Sequence, residues 1–358
     1  VSAVIRWPTV SRVRWIDTPR MYRRPAQCSS LRRRITASGW HTARSSAIEG
    51  LFTDDILHPV YRTRGAVSGT LPCTPASAGR LPVPQQSAIC ARYAAITPSI
   101  PPYGGATRRV PDMKGLVLAA GRGSRLGGLT ERLPKTLLTV APGVTLLDLA
   151  LRNLRSVGIT EVTVVVGFAA QAVSELLPTL ERTHGVIITL IHNDRAETWN
   201  NAYSAWLATE WLEEDTIMVN GDTLHPAVVE ELLLAAAAGD DRDLLVAIDD
   251  EKRLGAEEMK VVLSTDGSIL RINKAIPVSE AAGEYIGVTL IRSAGVPALR
   301  SALEATWRLD PGLYYEDGFQ VMADLGHRIG TVAIGKAEWV EVDVPDDLER
   351  AREIACRY

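Results

Sequence analysis

The chain holds 358 residues with a formal net charge of −3, a near-neutral total that hides two unlike segments. Residues 1–112 carry 16 Arg, no Lys and five acidic side chains, whereas 113–358 carry 23 basic and 37 acidic ones, giving net charges of +11 and −14. Three of the four cysteines, Cys28, Cys73 and Cys90, fall in the first segment and only Cys356 in the second, which excludes a disulfide framework and a Cys-x-x-Cys metal pattern and suits a reducing cytoplasm. No apolar run approaches the roughly 18–20 residues of a membrane helix; the longest is 232–238, so a soluble, cytoplasmic protein without a membrane segment is expected.

Residues 1–112 are rich in Pro, Ser and Arg, with Arg32-Arg33-Arg34 and proline-dense stretches at 81–84 and 98–102, and are expected to be mostly disordered. The segment begins with Val, while Met113-Lys114-Gly115 opens directly onto the first strand. The leading expectation is therefore an over-extended or dispensable extension. A transit peptide is the second reading and a nucleic-acid-binding arm the third, the last without any recognisable RNA or DNA module.

From 113 onward, β-rich runs alternate with helical patterns. A strand at 115–120 precedes a helix at 145–157. Strands at 161–166, 186–191 and 216–219 are each followed by a helix, at 169–182, 201–212 and 226–238, and a further strand occupies 244–248. Alternation at these lengths predicts an α/β fold, a doubly wound, mostly parallel sheet with ligands beyond the carboxyl ends of its strands. After 250 the rhythm becomes a hairpin, 259–263 turning at Asp266-Gly267 into 269–272, read as a small added β-sheet walling the substrate site. A strand at 339–342 and a helix opened by Pro345-Asp346-Asp347 close the chain. Residues 113–358 suffice for one domain with a full core, and no internal repeat is visible.

The first strand runs into Leu118-Ala119-Ala120-Gly121-Arg122-Gly123-Ser124-Arg125-Leu126, with Pro134-Lys135 eight residues later. Glycines that free backbone N–H groups, beside Arg and Lys, make a cradle for a nucleoside triphosphate. Two better-known loops do not fit. A P-loop needs Lys where Leu129 stands, and a dinucleotide fingerprint needs a third glycine at Leu126 and an acid where the second strand ends in Val166-Gly167-Phe168. A triphosphate is bound with a divalent metal, which needs carboxylates at strand ends, and Asp222 and Asp343 both follow apolar strands.

The loop resembles the signature of the nucleotidyltransferases that make nucleoside-diphosphate sugars and CDP-alcohols, although Gly127-Gly128 stand where that family often has a larger residue and a proline. The resemblance implies a Rossmann-like fold of nucleotidyltransferase type, with Leu118, Ala119, Ala120, Gly121, Arg122 and Gly123 on the nucleotide and Gly167 and Asn193 near its base. It implies Mg2+ held by Asp222 and Asp343, Lys135 on the phosphates, and Arg125 drawing out pyrophosphate. A further lysine is expected on the acceptor phosphate, with Lys260 and Lys274 as candidates. The stretches Asn200 to Ser204, Glu258 to Val261, Gly283 to Gly287, Tyr314 to Asp317 and Trp339 to Asp343 resemble the phosphocholine and aminoethylphosphonate cytidylyltransferase branch. This branch implies CTP and a small phosphorylated or phosphonate acceptor. A quaternary ammonium wants an aromatic cage and a primary one wants carboxylates too, so Asn201, Tyr203, Tyr285, Tyr315, Trp339 and Glu316 become acceptor-binding candidates, with Trp199 and Asp317 beside them. A sugar-1-phosphate nucleotidyltransferase is the alternative, although the Glu-Lys-Pro of that branch reads Asn273-Lys274-Ala275 here. A non-catalytic nucleotide-binding module is the alternative of another class; its expected mark, a missing lysine or metal aspartate, is not found.

Overall fold

The computed structural model describes residues 113–357, so the expected disorder of 1–112 lies outside the described residues. The elements run β1 (Lys114–Ala119), β2 (Thr139–Ala141), β3 (Val144–Thr145), α1 (Leu146–Ser156), β4 (Glu161–Val166), α2 (Ala170–His184), β5 (Ile187–His192), α3 (Asn201–Ala208), β6 (Thr216–Asn220), β7 (Thr223–Leu224) and α4 (Val228–Ala237). There follow β8 (Leu244–Asp249), β9 (Lys260–Leu263), β10 (Ile269–Asn273), β11 (Gly283–Ile291), α5 (Val296–Leu309), α6 (Tyr315–Asp324), β12 (Ile329–Ala333), β13 (Val340–Glu341) and α7 (Pro345–Ala355).

The first half behaves as its sequence directs. In β4, Glu-Val-Thr-Val-Val-Val is β-branched after its first residue and buried on both faces, as a central parallel strand must be. Thr145 and Asp148 close a capping box that starts α1, the Asp148 carboxylate accepting the Thr145 N–H at 2.9 Å. β1 pairs in parallel with β4 on one side and β6 on the other, and β4 with β5, so the parallel block reads β5-β4-β1-β6. α1, α2 and α4 bury Leu147, Leu151, Leu154, Val173, Leu177 and Leu233 against one face. α3, α5 and α6 bury Ala205, Leu299, Leu303, Phe319 and Met322 against the other. A third cluster fastens α7 and β13 to the segment after the glycine loop, through Leu126, Leu138, Leu224, Val340, Leu348 and Ile354. Each fully buried Leu or Ile of this cluster favours docking of α7 by roughly 1.5–3 kcal/mol.

The second half departs from expectation. The 259–263/269–272 hairpin forms, but not as a separate sheet: Gly283 and Glu284 of β11 pair with Val261 and Lys260, which joins β9 and β10 to the main nine-stranded sheet. β11 lies antiparallel to β6 and β8, is buried at all nine positions, and was not foreseen because Gly283 and Gly287 read as breakers. The separate small sheets are the two-stranded β2–β3 and β7–β13. α3 also ends earlier than the expected 212, passing into a 3-10 turn at Thr209–Trp211. Among the described residues no helix is long and apolar enough to cross a membrane.

Candidate active site

The glycine loop leaves the carboxyl end of β1. Gly123 adopts φ 71°, a left-handed conformation that favours glycine, and its carbonyl accepts from the Leu126 N–H at 3.0 Å and the Thr130 hydroxyl at 2.8 Å. The stem of Lys135 packs directly beneath: a Cβ on Gly123 would lie 3.1 Å from the lysine's Cβ and Cδ. Leu118, Ala119, Gly121, Lys135, Thr136, Gly221 and Asp222 line a small pocket here. Ala120 lies at its edge, where its carbonyl accepts the Phe168 N–H at 3.1 Å, and the Arg122 guanidinium sits 4.8 Å from the Phe168 ring centroid. Gly167 allows the loops after β1, β4 and β5 to converge, since a Cβ there would lie 2.3 Å from Ala196 Cβ and 2.9 Å from the Ala120 carbonyl. Asn193 holds the third loop from within, its carboxamide donating to Ser204 Oγ and accepting from the Arg195 N–H, each at 2.8 Å. Its amide is thus engaged by the protein itself.

Asp222 and Asp343, 121 positions apart, are brought together by the two-residue ladder of β7 and β13, extended where the Val342 N–H donates to the Asp222 carbonyl at 3.0 Å. Asp347, in the first turn of α7, accepts the Asp343 and Val344 N–H groups at 2.9 Å and fixes the strand end. The Lys135 ammonium then donates to Asp222 Oδ2 at 2.8 Å and Asp343 Oδ1 at 2.6 Å, while Arg125, largely exposed, donates to Asp343 Oδ2 at 2.7 Å. Burial works against the charge on Lys135, but the two aspartates outweigh it and hold the ammonium above its ordinary pKa. Burial likewise opposes the charge on Asp343, and Lys135 with Arg125 brings its carboxyl net below the ordinary value.

Glu341 joins this pair: one carboxylate oxygen each from Asp222, Glu341 and Asp343 lie within 4.8 Å of one another. The Glu341 side chain is exposed to solvent on one side and crowded by protein atoms on the other; that partial desolvation, then the charges of Asp222 and Asp343, pushes its carboxyl up to about 7. Three hard oxygen donors suit a divalent ion of the Mg2+ type, which would take over carboxylate oxygens now bonded to Lys135 and Arg125. Glu341 was absent from the expected site, yet the signal was present in Glu341-Val342-Asp343, because alternate residues of a strand share a face.

The acceptor side is less like its expectation. Lys260 is 1% exposed, and its ammonium donates to the carbonyls of Gly255, Ala256 and Glu258 at 3.3, 2.9 and 3.0 Å. All three of its protons are thereby used on the 255–258 loop, so in this structure the lysine holds that loop and offers no free proton to an acceptor. Lys274 instead lies 5.3 Å from the Tyr314 ring centroid, and its charge acts on Glu341 and Asp343. The expected rings do not form one cage. Tyr203 packs with Trp199, Trp206 and Trp307 at centroid distances of 4.9–5.5 Å, and Tyr285 and Tyr315 are buried with Phe319. Trp339 is tied separately, its indole N–H donating to Asp249 at 2.8 Å. Asn201 accepts the Tyr315 N–H at 3.0 Å, linking α3 to α6. Glu316, in the first turn of α6, is buried with Oε2 lacking a hydrogen-bond partner among the described residues; burial, then Asp317 and Glu341, pushes it up to about 8.

Comparison with known proteins accords with this geometry. A CMP-5'-(3-aminopropyl)phosphonate synthase of Streptomyces rubellomurinus is 33% identical over 261 residues, covering 69% of this chain and 39% of that protein. A glucose-1-phosphate thymidylyltransferase of Streptomyces griseus is 30% identical over 246 residues, covering 66% and 64%. The chain thus spans less than two thirds of either relative. The solved CTP:phosphocholine cytidylyltransferase from Streptococcus pneumoniae superposes with a TM-score of 0.53 at 21% identity, covering 68% of this chain and 99% of that one, and so shares the fold. The MobA-like NTP transferase domain matches residues 115–312, and with the glycine loop, Lys135 and Asp222 in place the chain belongs to this family of nucleotidyltransferases.

Proposed function

We propose that the protein transfers a cytidylyl group from CTP to a small phosphate or phosphonate that carries an ammonium group, with Mg2+ at Asp222 and Asp343. The observation that carries this reading is the set Arg125, Lys135, Asp222 and Asp343 at the mouth of the glycine loop, bonded at 2.6–2.8 Å. An acceptor oxygen attacks the α-phosphorus, the bond from it to the bridging oxygen breaks, and pyrophosphate leaves with its electron pair. When bound, Mg2+ would supply charge neutralisation for the triphosphate. Lys135 favours the ionised form of Asp343 and offers a cation beside the developing charge, Arg125 reaches from the exposed rim toward the leaving pyrophosphate, and Lys274 is the cation available to the acceptor anion.

An N–H-bearing ammonium is favoured over a quaternary one. A quaternary head needs an aromatic cage, and the candidate rings are dispersed among three buried places. A primary ammonium needs hydrogen-bond acceptors and a countercharge, and the Glu316 carboxyl, neutralised by its burial and with Oε2 unpartnered among the described residues, would gain both a donor and its charge on binding one. Similarity to the aminopropylphosphonate synthase supports both this class and CTP. The test is pyrophosphate release from CTP, UTP, GTP, ATP and dTTP, each against 3-aminopropylphosphonate, 2-aminoethylphosphonate, phosphocholine and glucose 1-phosphate. Turnover with CTP and the amino acceptors is expected. Turnover only with the sugar phosphate, which the thymidylyltransferase similarity makes the second reading, would overturn it.

A further inference from the structure

Asn220 is the last residue of β6, two positions before Asp222, and it is half-buried. Met218 packs into the core beneath α3, α5 and α6, so by strand alternation Asn220 stands on that same face, at the carboxyl end where ligands bind. Its Oδ1 accepts the Tyr315 hydroxyl at 2.9 Å. Tyr315 Oη is also 3.0 Å from the Tyr285 hydroxyl, which lies 2.7 Å from Thr289 Oγ1. One tyrosine proton cannot serve two acceptors. With that proton on Asn220, Tyr315 receives one from Tyr285, and Tyr285 receives one from Thr289. Burial raises the pKa of both tyrosines well above the ordinary value, so both remain donors.

The Oδ1 contact and the hydroxyl chain go with one orientation of the amide: with Oδ1 on Tyr315, Asn220 Nδ2 is turned away from that hydroxyl and without a partner among the described residues. Gly287, at φ 84°, completes the arrangement, because a Cβ there would lie 2.6 Å from Nδ2. Phenylalanines at 285 and 315 would fill the same space with no buried hydroxyl to satisfy, so packing alone does not explain the tyrosines. We propose that Asn220 is an acceptor-binding residue, held by the Thr289–Tyr285–Tyr315 hydroxyl chain so that Nδ2 donates to a phosphate or phosphonate oxygen of the acceptor. This rests on the function proposed above. The acceptor, not the nucleotide, is the partner because Tyr315 precedes Glu316, the carboxyl assigned to the acceptor's ammonium, on the same turn of α6.

The test is steady-state kinetics with CTP, Mg2+ and 3-aminopropylphosphonate, with the fold of each variant checked by circular dichroism. Asn220→Ala should raise the acceptor KM about ten- to a hundredfold, the range for a hydrogen bond to a charged group, with the CTP KM changed by less than about twofold. Asn220→Asp keeps an acceptor for Tyr315 and replaces the donor with a charge that repels the phosphonate, so its acceptor KM should rise further. Tyr315→Phe frees the amide to turn and should give a smaller rise in the same constant, which keeps the test sound if Asn220→Ala folds poorly. An unchanged acceptor KM, or a rise in the CTP KM alone or in both together, overturns the assignment. Absence of wild-type turnover with every amino acceptor overturns the proposed function and this inference with it, whereas normal wild-type turnover with an unaltered Asn220→Ala overturns only the role of Asn220.

Discussion

Lys135 and Lys260 are both buried ammoniums next to strands of the same sheet, and they differ in what receives their protons. Lys135 faces two carboxylates at the cleft, 2.8 and 2.6 Å away, whereas Lys260 faces three backbone carbonyls inside a loop. Carboxylates can exchange a lysine partner for a metal or a phosphate-bound cation. Carbonyls of a closed loop have no such alternative, so the charge on Lys260 is committed to local architecture. A lysine therefore declares its work by its acceptors more than by its burial or its place in a motif.

The largest effect that could break this contrast is on catalysis. Lys135→Met should lower kcat by about a thousandfold while the protein stays folded, as read by pyrophosphate release and circular dichroism; a modest loss would mean that Lys135 is as architectural as Lys260. Lys260→Met should do the opposite, lowering stability by about 3 kcal/mol in urea unfolding as its three carbonyls lose their donor, with kcat per folded molecule retained. Loss of kcat without loss of stability would restore Lys260 to the catalytic set. Lys274→Ala should raise the acceptor KM about tenfold with little change for CTP, and an unchanged acceptor KM would leave the acceptor anion without its assigned cation.

The smallest effect concerns a third buried pair, in which neither member keeps a charge. Burial lowers the His225 imidazole to about 4 and raises the Glu230 carboxyl well above its ordinary value, with Nδ1 and Oε2 3.6 Å apart. Between pH 4.5 and 6.5 the unfolded chain takes up a proton at His225 and releases one at Glu230, so the two linkages oppose each other and the pair adds no net pH dependence there. Glu230→Gln leaves the histidine alone, and stability relative to wild type should then climb as pH rises from about 4 to 6.5. His225→Asn leaves the carboxyl alone, and stability relative to wild type should fall as pH rises above about 4.5. Each difference should change by about 1.4 kcal/mol per pH unit at most. A variant profile parallel to that of wild type would show that burial does not hold the pair neutral.

The parallel half of the sheet was legible because β-branched runs alternate with amphipathic helices at short spacing. β11, α5 and α6 were not, since glycines interrupt the strand and its partners lie far away in sequence. In the site, Arg125, Lys135, Asp222 and Asp343 could be named because a loop and two strand ends constrain them locally, and the structure brings these four together. The aromatic candidates failed to assemble for a plain reason: a ring that packs well in a core and a ring that cages a ligand have the same identity in the sequence. Glu341 was overlooked although it stands two positions from Asp343 in an extended segment, where alternation puts both on the same face.

The β7–β13 ladder carries one further consequence. Asp222 belongs to the middle of the chain, but Glu341 and Asp343 arrive only with the segment that α7 anchors through Leu348 and Ile354. A fragment ending before residue 340 contains every strand of the nine-stranded sheet and the glycine loop, yet it holds one carboxylate of the three. The cluster is thus a property of the finished fold, gathered only when the final helix has packed beside the loop at the start of the described residues.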